Sequence, residues 1–290
     1  MSMRTTSELL AWYRPRRAMY PWRIRPDPYR TLVSEIMLQQ TQAARVAPAF
    51  ERFVRRFPSV RALAAAPRSE VLRAWDGLGY NRRAVWLSQA ARIVVDRHGG
   101  RIPSDPSHLR ALPGVGPYTA DAVGAIAFGR AVPAVDVNVR RVVGRVMLGL
   151  AEAPEARAPD AARTWLGRSD PAAWNQAVMD LGREVCRPTP RCRVCPLSRA
   201  CRFRGREGGR RRTTTAAERF EGSSRQARGA VVKALRLRSS VHVGGLVAGT
   251  GMDRARVVAA IAGLHRDGVV TAGPAALAGR PGGRVRLSDG

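Results

Sequence analysis

Four cysteines fall within sixteen residues, Cys186, Cys192, Cys195 and Cys201, in the spacing C-x5-C-x2-C-x5-C. Thiols crowded onto one loop make poor disulfides and good metal ligands, suited to tetrahedral zinc or to an iron–sulfur cubane. Spacing alone does not choose between the two. A zinc knuckle usually carries two CxxC pairs and this loop has one, which favours [4Fe-4S] with Zn as the alternative. Arg183, Arg187, Arg191, Arg193, Arg199 and Arg202 crowd the same segment. A metal-stapled loop studded with arginine suits contact with phosphates.

Two carboxylates stand in unusual company. Glu35 lies among Leu32, Val33, Ile36, Met37 and Leu38, and the uncharged polar run Gln39-Gln40-Thr41-Gln42 follows it. Asp136 sits between Ala134-Val135 and Val137, just before a helical stretch with Arg140 and Arg141. The plain reading is one solvated carboxylate and one helix N-cap. The chemical reading is a general acid and a charge-stabilising carboxylate facing one cleft. Leu112-Pro-Gly-Val-Gly-Pro-Tyr-Thr119 adds a glycine turn between two helices. Gly114 and Gly116 allow positive φ and leave the backbone bare, so the N–H groups there can cradle a phosphate. An ordinary turn is the competing reading.

Amphipathic helices must position these residues. Apolar spacing predicts helices over 28–42, 43–56, 69–78, 82–97, 118–128, 138–148 and 172–185, with Pro and Gly at the joins. No period-2 pattern persists through residues 7–205, so this part reads as all-α. Residues 206–222 are rich in Arg and Gly and read as a basic linker. Beyond it, helices over 224–237 and 252–266, a short helix near 243–248 and strands at 269–272 and 284–287 give a small winged-helix-like α/β unit over 223–290. A small accessory domain that binds nothing is the competing reading of that unit.

Composition bounds the partners. The 290 residues carry 50 Lys+Arg against 22 Asp+Glu, a net charge of +28, which points to a polyanion, most often nucleic acid. Lys233 is the only lysine, so 49 of the 50 basic residues are arginine. A GC-rich genome accounts for part of that bias. With 45% hydrophobic residues the chain can build a core, which excludes disorder as the default. Lacking an apolar run of membrane-spanning length or a secretory h-region, it reads as a soluble cytoplasmic protein with no membrane partner, expected to be nucleoid-associated and monomeric.

These elements together resemble the helix–hairpin–helix superfamily of DNA glycosylases with an iron–sulfur cluster, in its MutY-type adenine glycosylase branch. The resemblance runs from Trp12 to about Cys201. It rests on Pro21-Trp-Arg23, Ser34–Gln42, Gly77-Leu-Gly-Tyr80, Leu112–Thr119, Val135–Arg141, Asn175–Gly182 and the cysteine cluster. Residues 223–290 are similar to the tail of actinobacterial members, where typical relatives carry a nudix-like domain instead. The cysteine loop has one residue fewer than the family pattern between its first two cysteines, and Val137 departs from the usual Gly or Thr.

The resemblance implies two lobes. Residues 28–132 would form a six-helix barrel with the hairpin, facing a cluster-bearing lobe built from 1–27 and 133–205. It implies that double-stranded DNA with a mismatched or damaged base is the partner, that Glu35 protonates the base, and that Asp136 stabilises the sugar beside Tyr118. Trp22, Arg23 and Asp180 would line the base pocket. Gln40 and Tyr80 would wedge into the stack, and Gly114, Gly116 and Asn138 would also meet DNA. The implied activity is excision of adenine opposite 8-oxoguanine or G without strand cleavage. The alternatives are a thymine or uracil glycosylase acting opposite G and a non-catalytic DNA-binding protein.

Overall fold

Leucine, valine and alanine recurring at helical spacing, cut by proline and glycine, produce a chain of short helices in the computed structural model, which describes residues 2–24, 26–203 and 220–290. In chain order these are α1 (Ser2–Tyr13), α2 (Pro21–Ile24), α3 (Pro28–Leu38), α4 (Ala43–Arg56), α5 (Val60–Ala65), α6 (Arg68–Ala74), α7 (Arg82–His98), α8 (Pro106–Arg110), α9 (Pro117–Phe128), α10 (Val137–Val143), α11 (Ala158–Leu166) and α12 (Pro171–Glu184). The later elements are α13 (Ser224–Arg236), β1 (Val241–His242), α14 (Val243–Thr250), α15 (Arg254–Arg266), β2 (Val270–Ala272), α16 (Pro274–Leu277) and β3 (Arg284–Leu287). No strand occurs among the described residues up to 203.

Local signals set the ends. Asp105, Asp170, Ser223 and Asp253 cap α8, α12, α13 and α15 with side-chain oxygens on free N–H groups. Three differences from the sequence reading are informative. The helix expected over 28–42 stops at Leu38, because the chain turns through Gln40 at φ 57. The helix expected over 138–148 widens into a π-helical turn at Gly144–Leu148. The strand β1, too short to carry a period, lay outside the expected set.

By internal contacts the chain forms two compact units, 1–36 with 102–213 and 37–101 with 214–290. The division therefore cuts the barrel expected over 28–132 and joins residues 223–290 to 37–101. The linker expected over 206–222 lies outside the described residues as far as 219.

The core of the first unit is a cluster of buried side chains from α1, α10, α11 and α12. Leu9, Val139, Val142, Trp165, Trp174, Val178 and Leu181 are all shut off from solvent. Trp165 meets Trp174 edge to face at 5.5 Å. Truncating either tryptophan would cost roughly 3–5 kcal/mol.

In the second unit, α5 packs on α7, and α13 packs on α15 over a three-stranded antiparallel sheet ordered β1-β3-β2. Val285 and Leu287 of β3 face inward while Arg284 and Arg286 face out. The C-terminal residues seat on α6 and α7. Arg236 donates from Nε to the Leu72 carbonyl at 3.1 Å, from Nη2 to Asn81 Oδ1 at 3.2 Å, and from Nη1 to Asp76. Arg68 donates to Ser288 Oγ at 3.4 Å, and Arg73 to the Arg236 carbonyl at 3.3 Å. Arg236→Ala should lower the unfolding midpoint by the equivalent of ~1–3 kcal/mol, the cost of stranding these acceptors. It should also open residues 223–290 to limited proteolysis. An unchanged melt and cleavage pattern would show that the seat carries no stability.

Candidate active site

Glu35 is buried because its helix has no wet face. Residues 31–37 of α3 are all buried, so a carboxyl at any of these positions leaves water. Glu35 retains only 6% of its accessible surface. Burial penalises the anion and pushes its carboxyl up to about 7. Asp136 raises it further through like charge, while Arg23 and a hydrogen bond from the Tyr118 hydroxyl pull it down. The Tyr118 phenol is itself held well above its ordinary range by burial, then by Glu35 and Asp136. Glu35, Tyr118 and Asp136, expected to act together, are thus electrostatic neighbours. The Tyr118 hydroxyl also lies 3.7 Å from Met179 Sδ.

The second carboxylate is a helix cap, as the plain reading expects. Asp136 Oδ1 accepts the Val139 N–H of α10 at 2.7 Å, and Oδ2 accepts the Asn138 amide at 2.8 Å. These two bonds fix the side chain as the N-cap of α10. Asn175, quoted only within a longer motif, fixes the approach to this cap. Its Oδ1 accepts the Ala134 N–H at 2.7 Å and its Nδ2 donates to the Val132 carbonyl at 3.0 Å. At Gly182 of α12 a Cβ would sit 3.1 Å from Asn138 and 3.2 Å from Val142, so its absence lets α12 close on α10.

Arg141 bridges the cap to the cysteine loop. Its Nη2 donates to Asn138 Oδ1 at 2.9 Å and to the Gly182 carbonyl at 2.8 Å, and its Nε to the Cys186 carbonyl at 2.7 Å. Sequence spacing carried no sign of this role.

Arg23 and Asp180 come together in a buried two-pronged ion pair, at 2.8 and 3.1 Å. Arg183 adds a second cation to Asp180 at 3.0 Å. Trp22 is buried and its ring stacks on Tyr20 at 4.9 Å. The glycine turn connects α8 to α9. Gly114 has the expected positive φ of 79°. Gly116 does not: at φ −81° it is the extended N-cap of α9, and nothing lies within 4 Å of where its Cβ would be. Its value is open space over the helix N-terminus. Gln40 and Tyr80 belong to the second unit, on two adjoining turns, with Tyr80 44% exposed.

All four cysteines line one cavity of about 340 Å³, beside Arg145 and Phe203. None is in a disulfide. Arg145 is buried, reaches Cys186 Sγ at 3.6 Å, and ties down the loop through the Pro188 carbonyl at 3.0 Å and the Arg187 carbonyl at 2.6 Å. Burial raises the Cys195 thiol to about 11 and raises Cys201 also. Among the described residues, no three His, Cys, Asp or Glu side chains converge as a single-ion site. The buried Arg145 guanidinium beside Cys186 places a positive charge next to the thiols. No helix among the described residues is long and apolar enough to cross a membrane.

Residues 33–165 match the family described as HhH-GPD superfamily base excision DNA repair protein. An adenine DNA glycosylase of Mycolicibacterium smegmatis is 42% identical over 234 residues, 79% of each chain. A thymine/uracil-DNA glycosylase of Methanothermobacter thermautotrophicus is 32% identical over 68% of this chain and 91% of its own. Among solved structures, a thermostable thymine-DNA glycosylase superposes with a TM-score of 0.64 at 30% identity, covering 69% of this chain and 94% of that one.

The Glu35 carboxyl should titrate near pH 7, read by infrared or carbon NMR, and Tyr118→Phe should raise it further by removing a hydrogen bond to the anion. Its folded pKa lies above the unfolded value of 4.5. The group's contribution to stability is therefore complete below about pH 4.5 and lost as pH rises through about 7. Glu35→Gln, which cannot ionise, should stabilise the protein at pH 8 by up to about 3 kcal/mol and have no such effect at pH 4. A carboxyl titrating in the ordinary range would contradict the burial argument.

Proposed function

Because the chain belongs to the HhH-GPD superfamily of base excision DNA repair proteins, we propose that it is an adenine DNA glycosylase, acting on adenine mispaired with 8-oxoguanine or G. The observation that carries this reading is Glu35, a buried carboxyl pushed up to about 7 beside Tyr118 and Asp136. Cleaving a glycosidic bond needs an acid at the leaving base and negative charge at the sugar. Glu35 gives its proton to N7 of the extruded purine, and the bond from N9 to the sugar carbon breaks with its electron pair leaving on the base. Asp136, its carboxylate held by the Val139 N–H and Asn138, stabilises the cationic sugar. Water adds to that carbon and returns a proton to Glu35.

Other assignments follow the same reading. Trp22 lies by the base, while Arg23, held by Asp180, biases Glu35 by charge. The hairpin at Gly114 and Gly116 meets a phosphate, and Gln40 and Tyr80 enter the stack. Cys186, Cys192, Cys195 and Cys201 would hold a [4Fe-4S] cluster, which supplies a cross-link in place of a larger core. All four thiols line one cavity, which supports a shared metal group, and the single CxxC pair favours the cluster over one zinc ion. Residues 224–290 follow the order of a winged helix: helix, strand, two helices, then two strands joined through a wing.

Excision of thymine or uracil opposite G is a second reading, favoured by the likeness to a thymine/uracil-DNA glycosylase in sequence and to a thymine-DNA glycosylase in structure. The higher identity to the mycobacterial adenine enzyme favours the first. Strand cleavage is not expected, because a Schiff base needs an amine. The hairpin carries Tyr118, and Lys233 is the only lysine in the chain.

Labelled duplexes bearing A:8-oxoG, A:G, T:G and U:G should separate the readings, with abasic sites formed at adenine and the strand intact until hot alkali. Glu35→Gln should cut excision at least ~10²-fold while duplex binding persists, the usual scale of general acid catalysis. Excision of pyrimidines alone would install the second reading, and near-normal excision by Glu35→Gln would remove the acid assignment. Protein purified without oxygen should hold about four irons per chain and absorb visible light. Stoichiometric zinc would replace the cluster assignment.

A further inference from the structure

Two turns of the second unit share an unusual backbone. Gln40 at φ 57° and Tyr80 at φ 44° are the only non-glycine residues with positive φ among those described. A side chain in that region is costly and persists only where surrounding contacts over-determine it. Gly77 and Gly79 bring the chain to Tyr80 through left-handed steps of their own, at φ 82° and 65°. The turns are some forty residues apart in sequence, so local propensity cannot match them to each other.

One side chain contacts both. Arg83, on the first turn of α7, keeps only 4% of its surface. Toward the first turn its Nη1 donates to the Met37 carbonyl at 2.8 Å and to the Gln39 carbonyl, and its Nη2 to Thr41 Oγ1 at 3.0 Å. Toward the second turn its Nη2 donates to the Leu78 and Gly79 carbonyls at 3.1 and 3.3 Å, and its Nε to the Tyr80 carbonyl at 3.5 Å. Its guanidinium sits 5.5 Å from the Trp75 ring centre and 5.4 Å from that of Tyr80. Trp75 Nε1 adds a bond to the Gly79 carbonyl at 3.1 Å. Burial lowers the Arg83 pKa to about 10, which leaves it charged at neutral pH. The acceptors flank Gln40 on both sides and include the Tyr80 carbonyl itself. A rigid planar fork of five N–H groups can serve two turns at once, and an ammonium with three donors on a flexible stem cannot.

We propose that Arg83 is a positioning residue for base extrusion: by fastening the two turns to one buried guanidinium it holds Gln40 and Tyr80 at a set spacing, as a preformed two-pronged wedge for the DNA stack. The proposal rests on the reading of Gln40 and Tyr80 as the residues that enter the stack. Arg83 touches neither base nor sugar. Its effect belongs to the cost of opening the helix, a cost that is smallest for a base already unpaired.

The test uses full-length protein, single-turnover excision, and two substrates: adenine opposite 8-oxoguanine in a duplex, and the same adenine in an unpaired bulge. A 2-aminopurine next to the target reports unstacking. Arg83→Lys keeps the charge and loses the fork. It should slow excision from the duplex by ~10–100-fold, the scale of a misplacement near one ångström. It should blunt the fluorescence rise and leave bulge excision within about threefold of the unaltered protein, since that step bypasses the wedge. Hydrogen exchange should rise in 37–42 and 78–81 together. In a Gln40→Ala/Tyr80→Ala background, Arg83→Lys should add no further loss. Equal losses on duplex and bulge, or full additivity with the double variant, would overturn the proposal and leave Arg83 a general stabiliser. If Gln40→Ala and Tyr80→Ala leave duplex excision and unstacking unchanged, the wedge reading fails and takes the proposal with it. That pattern is distinct from one in which those variants are impaired and Arg83→Lys is not. Should Arg83→Lys fail to fold, Arg83→Gln is measured in the same way.

Discussion

Desolvation of one carboxyl sets the electrostatics around Glu35 in the first unit. Helix α3 is buried on every side across Thr31–Met37, and Glu35 keeps only a small part of its surface in water. A buried anion without compensation is costly, so the group either pairs or keeps its proton. Here it does some of each. Tyr118 and Arg23 favour the anion, burial and Asp136 oppose it, and the balance lies at about 7. A stronger partner would give a permanent carboxylate, and a drier site would give an acid too weak to transfer its proton. The neighbouring elements supply that balance: α9 brings Tyr118, the cap of α10 brings Asp136, and the pair of α2 with α12 brings Arg23 already neutralised by Asp180.

Asp136 shows the opposite use of environment. It carries the same functional group, but its two oxygens accept the Val139 N–H at the N-terminus of α10 and the Asn138 amide. The two carboxylates thus stand in different surroundings, one desolvated and one capped, which is the arrangement the proposed acid and charge-stabiliser roles call for.

Arginine does more here than attract polyanions. Arg23, Arg83, Arg141, Arg145 and Arg236 each direct several N–H groups at carbonyls or side-chain acceptors inside the fold. The planar fork suits this work, because one side chain can join carbonyl oxygens of several segments at once. Arg141 and Arg145 do so on either side of the cysteine loop, and Arg83 and Arg236 do so around α6 and α7. The net charge of +28 therefore overstates the cationic surface open to DNA.

The elements were legible in the sequence because the signals that make them are local. Apolar residues three and four apart, caps such as Asp136 and Ser223, and prolines at the joins act within one or two turns, so α4, α7, α9, α12 and β3 lie where the pattern puts them, to within about two residues. The four cysteines, the glycine turn and the apolar setting of Glu35 were likewise readable in place. What the residues do there was not. Whether Glu35 meets solvent or core, whether Arg23 meets a ligand or Asp180 157 positions away, and whether six carbonyl and hydroxyl acceptors find Arg83 depend on contacts between distant segments. The joining of the C-terminal unit to α6 and α7 through Arg236 is of the same kind. Spacing along a chain records the period of a helix but not its neighbours; burial, charge pairing and the strained turns at Gln40 and Tyr80 exist only once the helices have packed.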